Sequence, residues 1–155
     1  MHQTLLDDVR RFNRTVTQRL GALDESYLGR GRPLAQARLL FEIGPQGSDL
    51  KSLRQRLGLD SGYLSRLLGM LAADGLVAVD KAADDARRRH VSLTAAGQEE
   101  WQAYDSLSDA FARSMLAPLE ADERERLVEA MRVVDRLISA AVIEFVATRA
   151  DSTEA

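Results

Sequence analysis

The fold of this chain is decided by residues 59–97, which read LDSGYLSRLLGMLAADGLVAVDKAADDARRRHVSLTAAG. The first part predicts an amphipathic helix that is capped by Asp60 or Ser61 and ends just before Gly75. Its apolar side chains recur at the 0, 3, 4, 7 spacing of a single helical face: Leu64, Leu67, Leu68 and Leu71. We therefore expect this face to pack on a core and the opposite face to remain in solvent.

A β-hairpin is predicted after this helix. Residues 76–81 are rich in valine and predict a strand, residues 82–86 predict a turn, and residues 91–93 predict a second strand. Thr94 has the side chain of an N-cap, so a further helix is expected to follow it. The hairpin has the length of a wing, the pair of strands that follows the second helix in some DNA-binding folds.

Two shorter helices are predicted upstream. One covers residues 34–43 and ends at a Gly-Pro pair, and the other covers residues 49–57 with Ser48 as its N-cap. The order helix, turn, helix and hairpin is that of a winged helix-turn-helix, whose second helix can lie in the major groove of DNA. The sequence thus predicts a mainly α fold with a small β-hairpin wing, the winged helix-turn-helix covering residues 34–97.

Helices at the two ends of the chain are predicted to hold two copies together. They cover residues 5–24 and 98–147, and the last one has the heptad spacing of helix-on-helix packing: Leu127, Met131, Val134, Ile138, Ala141 and Phe145. This spacing suits either an intramolecular core or a dimer interface. We favour the dimer because the two ends carry more apolar surface than a small winged domain can cover. The whole chain, residues 1–155, is expected to form one subunit.

Composition argues against several classes of function. The 155 residues include no cysteine, which removes disulfides, cysteine metal sites and thiol-based redox sensing. No apolar run is long enough to cross a bilayer and no secretory signal is recognisable, so we expect a cytoplasmic protein with no membrane partner. No catalytic triad, metal-ligand cluster or phosphate-binding loop can be placed, so neither an enzyme nor a cofactor or metal site is expected.

The charge is distributed unevenly along the chain. The total is −3, but residues 1–47 and 48–97 each carry +2, whereas residues 98–155 carry −7. This pattern is compatible with a DNA-facing middle and an acidic C-terminal part, although such modest excesses do not by themselves establish DNA binding.

Two groups of residues would face DNA in this arrangement. On the exposed helix face, small residues permit close approach, hydroxyls reach phosphates or base edges, and an arginine pairs with phosphate or guanine: Ser61, Gly62, Tyr63, Ser65 and Arg66. The second group, Arg87, Arg88 and Arg89, follows the predicted turn, where an arginine can enter the minor groove. Taken alone, the helix face is equally well explained as a solvated surface, and the arginine run is better explained as a solvated charge cluster balanced by Asp84 and Asp85. Their succession, one strand apart, favours DNA.

The same stretch resembles the multiple antibiotic resistance regulator (MarR) family. Residues 85–97, DARRRHVSLTAAG, are similar to its wing signature, in which Asp-x-Arg is followed by Val-x-Leu-Thr-x-x-Gly, and residues 59–68, LDSGYLSRLL, to its recognition helix. The resemblance implies a bacterial transcriptional regulator that binds double-stranded DNA as a homodimer, on a pseudo-palindromic operator. It also implies that Arg87 contacts the minor groove and that Asp85 orients it. Val79 departs from the family pattern, because many members have arginine there.

A narrower resemblance is to the regulator half of proteins that fuse this domain to an N-acetyltransferase. It is carried by residues 29–44, GRGRPLAQARLLFEIG, together with residues 59–68. The chain would then be a stand-alone relative or one half of a larger product. It contains no acetyl-CoA loop, so we expect no acetyltransferase activity from it.

The MarR resemblance further implies a small-molecule effector that changes the spacing of the two recognition helices. Trp101, Tyr104 and Phe111 share one helix face that would either line an effector cavity or form part of the core, and the core is the commoner role for aromatic residues at helical spacing. The alternative function is a helical interaction or ligand-binding module that retains the fold without binding DNA. The net negative charge and Val79 leave that alternative open.

Overall fold

The computed structural model of the protein describes the backbone of residues 3–81 and 89–151 and the side chains of residues 3–80 and 89–140. The chain divides into two compact units, residues 1–108 and 109–155. The described elements are, in chain order, α1 (Gln3–Arg19), a 3₁₀ turn (Tyr27–Gly29), α2 (Leu34–Ile43), β1 (Ser48–Asp49), α3 (Leu50–Leu57), α4 (Ser61–Ala73), β2 (Val77–Lys81), β3 (Arg89–Leu93), α5 (Ala95–Leu116) and α6 (Ala121–Asp151). The predicted mainly α fold with a small sheet is confirmed.

The predicted hairpin is present as strands β2 and β3. They pair antiparallel, with Val77 opposite Leu93 at one end and Lys81 opposite Arg89 at the other. The predicted turn, residues 82–86, lies outside the described residues. We call this pair of strands the wing.

A third strand, β1, was not expected from the sequence. The sheet order is β1-β3-β2, and Ser48 in β1 pairs with Val91 in β3. The prediction that Ser48 caps α3 is therefore wrong. Asp49 is the N-cap, and its carboxylate accepts a hydrogen bond from the Ser52 amide at 3.1 Å. A strand of two residues is too short for alternating hydrophobicity to reveal it.

The hydrophobic core lies where α2, α3, α4 and the sheet meet. The leucine face predicted for α4 is buried along its whole length, and the other buried apolar residues are Ala37, Leu39, Leu40, Ile43, Leu53, Leu76, Val77, Val91, Leu93 and Tyr104. Leu71 has no exposed surface, and truncating such a leucine to alanine typically costs about 2–5 kcal/mol. This packing fixes the orientation of α4, so its opposite face is held toward solvent.

The junction between β3 and α5 explains the Thr-x-x-Gly part of the wing signature. Thr94 Oγ1 accepts a hydrogen bond from the Gly97 amide at 3.1 Å and donates one to the Gly75 carbonyl at 2.6 Å. A Cβ at Gly97 would lie only 1.9 Å from the Leu76 carbonyl oxygen. The threonine caps α5, and the glycine permits its first turn to touch the backbone that leaves α4.

The first helix ends more than a turn earlier than the prediction of residues 5–24. α1 stops at Arg19. The amide of Ala22 donates to the Thr17 carbonyl at 3.1 Å, across Gly21, whose φ is 62°. A glycine in this left-handed conformation closes a helix because it satisfies the last carbonyls without a steric penalty. Leu20 and Leu23, which lie beyond the end of α1, keep the helical spacing and hid this stop.

The terminal helices leave much apolar surface uncovered. α5 ends at Leu116, two residues before Pro118, so the predicted range of residues 98–147 is divided between α5 and α6. None of the residues of α1 is buried. In α6, Met131 and Ile138 are exposed although they belong to the predicted heptad pattern. No helix within the described ranges is long and apolar enough to span a membrane.

Candidate nucleic-acid interface

The N-terminal half of α4 presents a face of small and polar residues. Asp60, the first of the two predicted caps, accepts a hydrogen bond from the Tyr63 amide at 2.9 Å. The structure brings most of the predicted helix residues onto one exposed face: Ser61, Gly62, Ser65 and Arg66. Tyr63 differs from the expectation because it is half-buried and packs against the core.

An open groove runs beside this face, between α3, α4 and the wing. Its volume is about 530 Å³. Lys51 and Arg54 line it from α3, and Arg89 lines it from β3. Small residues of α4 leave it open: Ser61, Ser65, Gly69 and Ala72. We call this feature the basic groove.

The basic side chains of the winged helix fall into two groups, those that form an ion pair and those that do not. Arg38 and Arg56 both pair with Glu42 on α2, at 2.6 and 3.5 Å. The remaining cations whose side chains are described between residues 34 and 97 form no ion pair with a described residue: Lys51, Arg54, Arg66 and Arg89. Three of these line the basic groove and the fourth lies on the exposed face of α4. Positive charge without a neutralising partner is thus concentrated on one surface of the winged helix.

The carboxylates that begin α3 and α4 cap those helices. Asp49 and Asp60 cap α3 and α4, where the positive ends of the helix dipoles and the free amides favour a negative side chain. Among the described residues, no cluster of three or more histidine and acidic side chains is arranged to hold a metal ion. The basic groove therefore suits an anionic partner better than a cation.

Lys51 and Arg54 were missed by the sequence reasoning. They lie three residues apart on α3, whose Leu53 is buried and whose Leu50 and Leu57 are half-buried, so both are on the outward side of the helix. That spacing was the available signal, but two isolated cations on an eight-residue helix are ordinary surface residues. Only the tertiary fold shows that they face the same groove as Arg89.

The wing is described in part. Arg89 is the first residue of β3 and is exposed. Val79, at the family's usual arginine position, is half-buried, packs against the core and lines the basic groove. Asp85, Arg87 and Arg88, the predicted tip residues, lie outside the described residues.

An ionic cluster holds the far end of α4. Arg32 forms ion pairs with Asp74, the C-cap of α4, and with Glu100 on α5, the latter at 3.7 Å, and Arg30 also pairs with Glu100. The hydroxyl of Tyr104 is buried close by without a hydrogen-bond partner among the described residues. Burial, and then the negative charge of Glu100, raise the pKa of Tyr104 above its usual value.

Sequence comparisons identify the domain that carries this surface. Residues 40–110 match the winged helix DNA-binding domain family. The uncharacterized HTH-type transcriptional regulator YdgJ of Bacillus subtilis is 29% identical over 79 residues, which are 51% of this chain and 48% of that protein. The match thus spans about half the length of this curated relative.

Solved structures share the fold over most of the chain. A probable transcriptional regulator from Pseudomonas aeruginosa is 27% identical, with a TM-score of 0.68 over 84% of this chain and 98% of that one. A mutant MarR from E. coli, complexed with operator DNA, is 23% identical, with a TM-score of 0.69 over 84% of this chain and 95% of that one. The predicted MarR-like fold is confirmed, whereas the resemblance to acetyltransferase fusions stays a prediction.

Proposed function

We propose that this chain, which has the fold of the MarR regulators and carries a winged helix domain, is a transcriptional regulator that binds double-stranded DNA as a homodimer. The observation that carries the proposal is that, among the described side chains, the cations without an ion-pair partner are concentrated on one surface of that domain. Elsewhere in the winged helix, Arg38 and Arg56 are neutralised by Glu42. Cations kept free of carboxylates on a single face are what a phosphate-binding surface requires.

We expect a duplex to bind along both α4 and the basic groove. With α4 in the major groove, the basic groove beside it would receive the sugar–phosphate backbone of one strand. Lys51 and Arg54 would approach the phosphates from α3, and Arg89 would approach from the wing. These contacts would fix the position of α4 on the duplex without carrying sequence information.

The wing tip would supply the contact to the adjacent minor groove. This part of the proposal rests on the family resemblance of residues 85–97. In it, Arg87 inserts into the minor groove, Asp85 orients Arg87, and Arg88 adds charge beside the phosphates.

The exposed apolar face of α1 supports a homodimer. Leu5, Val9 and Phe12 recur at helical spacing and are 57%, 58% and 49% exposed. A stripe of this kind on an amphipathic helix is normally covered. A second copy of the chain is the occupant that we propose, because a two-fold axis would also present two copies of α4 to one duplex.

The most direct experiment is selection of bound duplexes from a random pool with the full chain. We expect enrichment of a two-fold symmetric sequence whose half-sites lie about one helical turn apart, roughly 34–36 Å. Enrichment of a single asymmetric half-site would contradict the homodimer. No enrichment at all would contradict DNA binding and would favour the alternative of an interaction or ligand-binding module. Release by a small-molecule effector stays a prediction from the family resemblance.

A further inference from the structure

The exposed face of α4 consists mostly of residues with short side chains. In its first two turns, the residues that are exposed to solvent are Ser61, Gly62, Ser65 and Arg66. Serine and glycine reach base edges only at very short range. Among the described residues of α4, Arg66 is the only charged one, and it is the only one whose side chain offers several paired N–H donors to a base edge.

The structure places the Arg66 guanidinium over the start of the helix. Its Cζ lies 5.6 Å from the centroid of the Tyr63 ring, one turn back along α4. A Cβ on Gly62 would lie 3.9 Å from Nη1 of Arg66. The side chain therefore points toward the helix N-terminus, as long side chains in helices do. That end of a recognition helix is the part that contacts base edges in helix-turn-helix proteins.

The platform under Arg66 is itself fixed. The Tyr63 ring is half-buried and packs against the hydrophobic core, so its position is set by the fold. No described carboxylate pairs with Arg66, which leaves its donors available to a ligand. A guanidinium that already rests on an aromatic face loses less conformational freedom when it binds.

We infer that Arg66, held by Tyr63, recognises one guanine in each half-site through the guanine O6 and N7 atoms, and that it supplies the main base-specific contact of α4. The inference rests on the proposed function, since it requires DNA at this face. Guanine is the expected base because its two major-groove acceptors match the paired donors of arginine. Tyr63, which the sequence suggested as a contact, becomes a positioning residue.

The experiment repeats the duplex selection with four full-length proteins: wild type, Arg66→Ala, Tyr63→Phe and Tyr63→Leu. The wild type should enrich guanine at one symmetric position in each half-site. Arg66→Ala should lose that preference, with affinity for the guanine-containing duplex reduced about 10- to 100-fold. Its affinity for a duplex with that guanine replaced should match the wild type within about two-fold, because the interaction is already absent there.

The tyrosine variants separate positioning from folding. Tyr63→Phe keeps the aromatic face and should retain the guanine preference, whereas Tyr63→Leu should weaken it about two- to five-fold while non-specific affinity stays unchanged. Equal preference in the Phe and Leu variants would overturn the positioning role. Two results would overturn the inference while leaving DNA binding intact. One is a wild-type site that contains no guanine at a symmetric position, and the other is a guanine preference that survives in the Arg66→Ala variant. If the wild type selects no duplex, the proposed function fails together with it.

Discussion

At the scale of single residues, the glycine of the Thr-x-x-Gly motif, Gly97, is required because the first turn of α5 lies very close to the backbone of Leu76. Alanine at this position would place a methyl group 1.9 Å from the Leu76 carbonyl oxygen. The first turn of α5 would have to move, and we expect Gly97→Ala to lower the free energy of unfolding by roughly 2–3 kcal/mol. Chemical denaturation of the two proteins measures the difference.

The matched control is Gly69→Ala. A Cβ at Gly69 meets nothing within 4 Å, and the residue lies inside α4. Replacing an unstrained helical glycine by alanine should leave stability unchanged or raise it by up to about 1 kcal/mol. Equal midpoints for the Gly97 and Gly69 variants would contradict the close approach seen between α5 and Leu76.

Tyr104 offers a second residue-level prediction, through its buried hydroxyl, which has no hydrogen-bond partner among the described residues. Removing such a group relieves an uncompensated desolvation, so Tyr104→Phe should be neutral or stabilising by about 1 kcal/mol near pH 7. The pKa of Tyr104 is raised in the folded state from its ordinary value of 10.0. Folding therefore favours the protonated hydroxyl over the ionised one. The stability that depends on this protonation is complete below pH 10 and is lost as the pH rises through the raised pKa.

Thermal unfolding from pH 8 to pH 11 tests this sign. The wild type should lose stability above pH 10, and Tyr104→Phe should lose less over the same interval. A steeper alkaline loss in the phenylalanine variant, or a clear destabilisation of it at pH 7, would show that the hydroxyl makes a favourable interaction.

At the scale of elements, the basic groove predicts a specific electrostatic role for α3. Lys51→Gln and Arg54→Gln should each weaken DNA binding at all sequences alike and reduce the slope of log K against log salt by about 1 for each phosphate that is no longer neutralised. Arg38→Gln is the control, because it removes the same charge from a residue that already pairs with Glu42. Fluorescence anisotropy with one duplex over several salt concentrations measures the slopes. Identical slopes for the wild type and all three variants would exclude α3 from the interface.

The sequence predicted elements wherever a long periodic pattern met a clear stop. The leucine face of α4, its Asp60 cap and its end before Gly75 all follow from local chemistry, and the bounds of α2 and the wing strands are close to those observed. β1 could not be predicted, because a two-residue strand exists only through its pairing with β3. The end of α1 was misjudged since the apolar spacing continued past Gly21.

The candidate site was predictable on α4 and much less so around it. Ser61, Gly62, Ser65 and Arg66 follow from the face opposite the leucines. Lys51 and Arg54 could not be assigned, because their importance depends on a groove that forms only when α3, α4 and the wing pack together. Tyr63 was misjudged for a related reason: whether a ring at the edge of a helix face is buried depends on its neighbours in the fold.

At the scale of the whole molecule, the proposed homodimer predicts the effect of a charge on the last helix. Ile138 is 49% exposed and belongs to the heptad pattern of α6. A buried carboxylate at an apolar interface is costly, so Ile138→Glu should convert a dimer of twice 17.1 kDa into monomers of that mass. Light scattering after size-exclusion chromatography measures the mass.

The control for this variant is Arg126→Gln, which removes one partner of an exposed ion pair on the same helix. Exposed pairs contribute little, so that variant should remain dimeric. A wild-type mass of 17.1 kDa, or a dimer that survives Ile138→Glu, would contradict the assignment of α6 to the interface.

The central claim is that the surface formed by α4 and the basic groove binds DNA through its unpaired cations, and the salt dependence of wild-type binding tests it most directly. Affinity for the selected duplex would be measured by anisotropy between about 50 and 200 mM salt. The account predicts a linear fall of log K against log salt, with a slope of about −0.9 for each phosphate neutralised. Binding that does not change with salt, or no binding at any salt concentration, would contradict it.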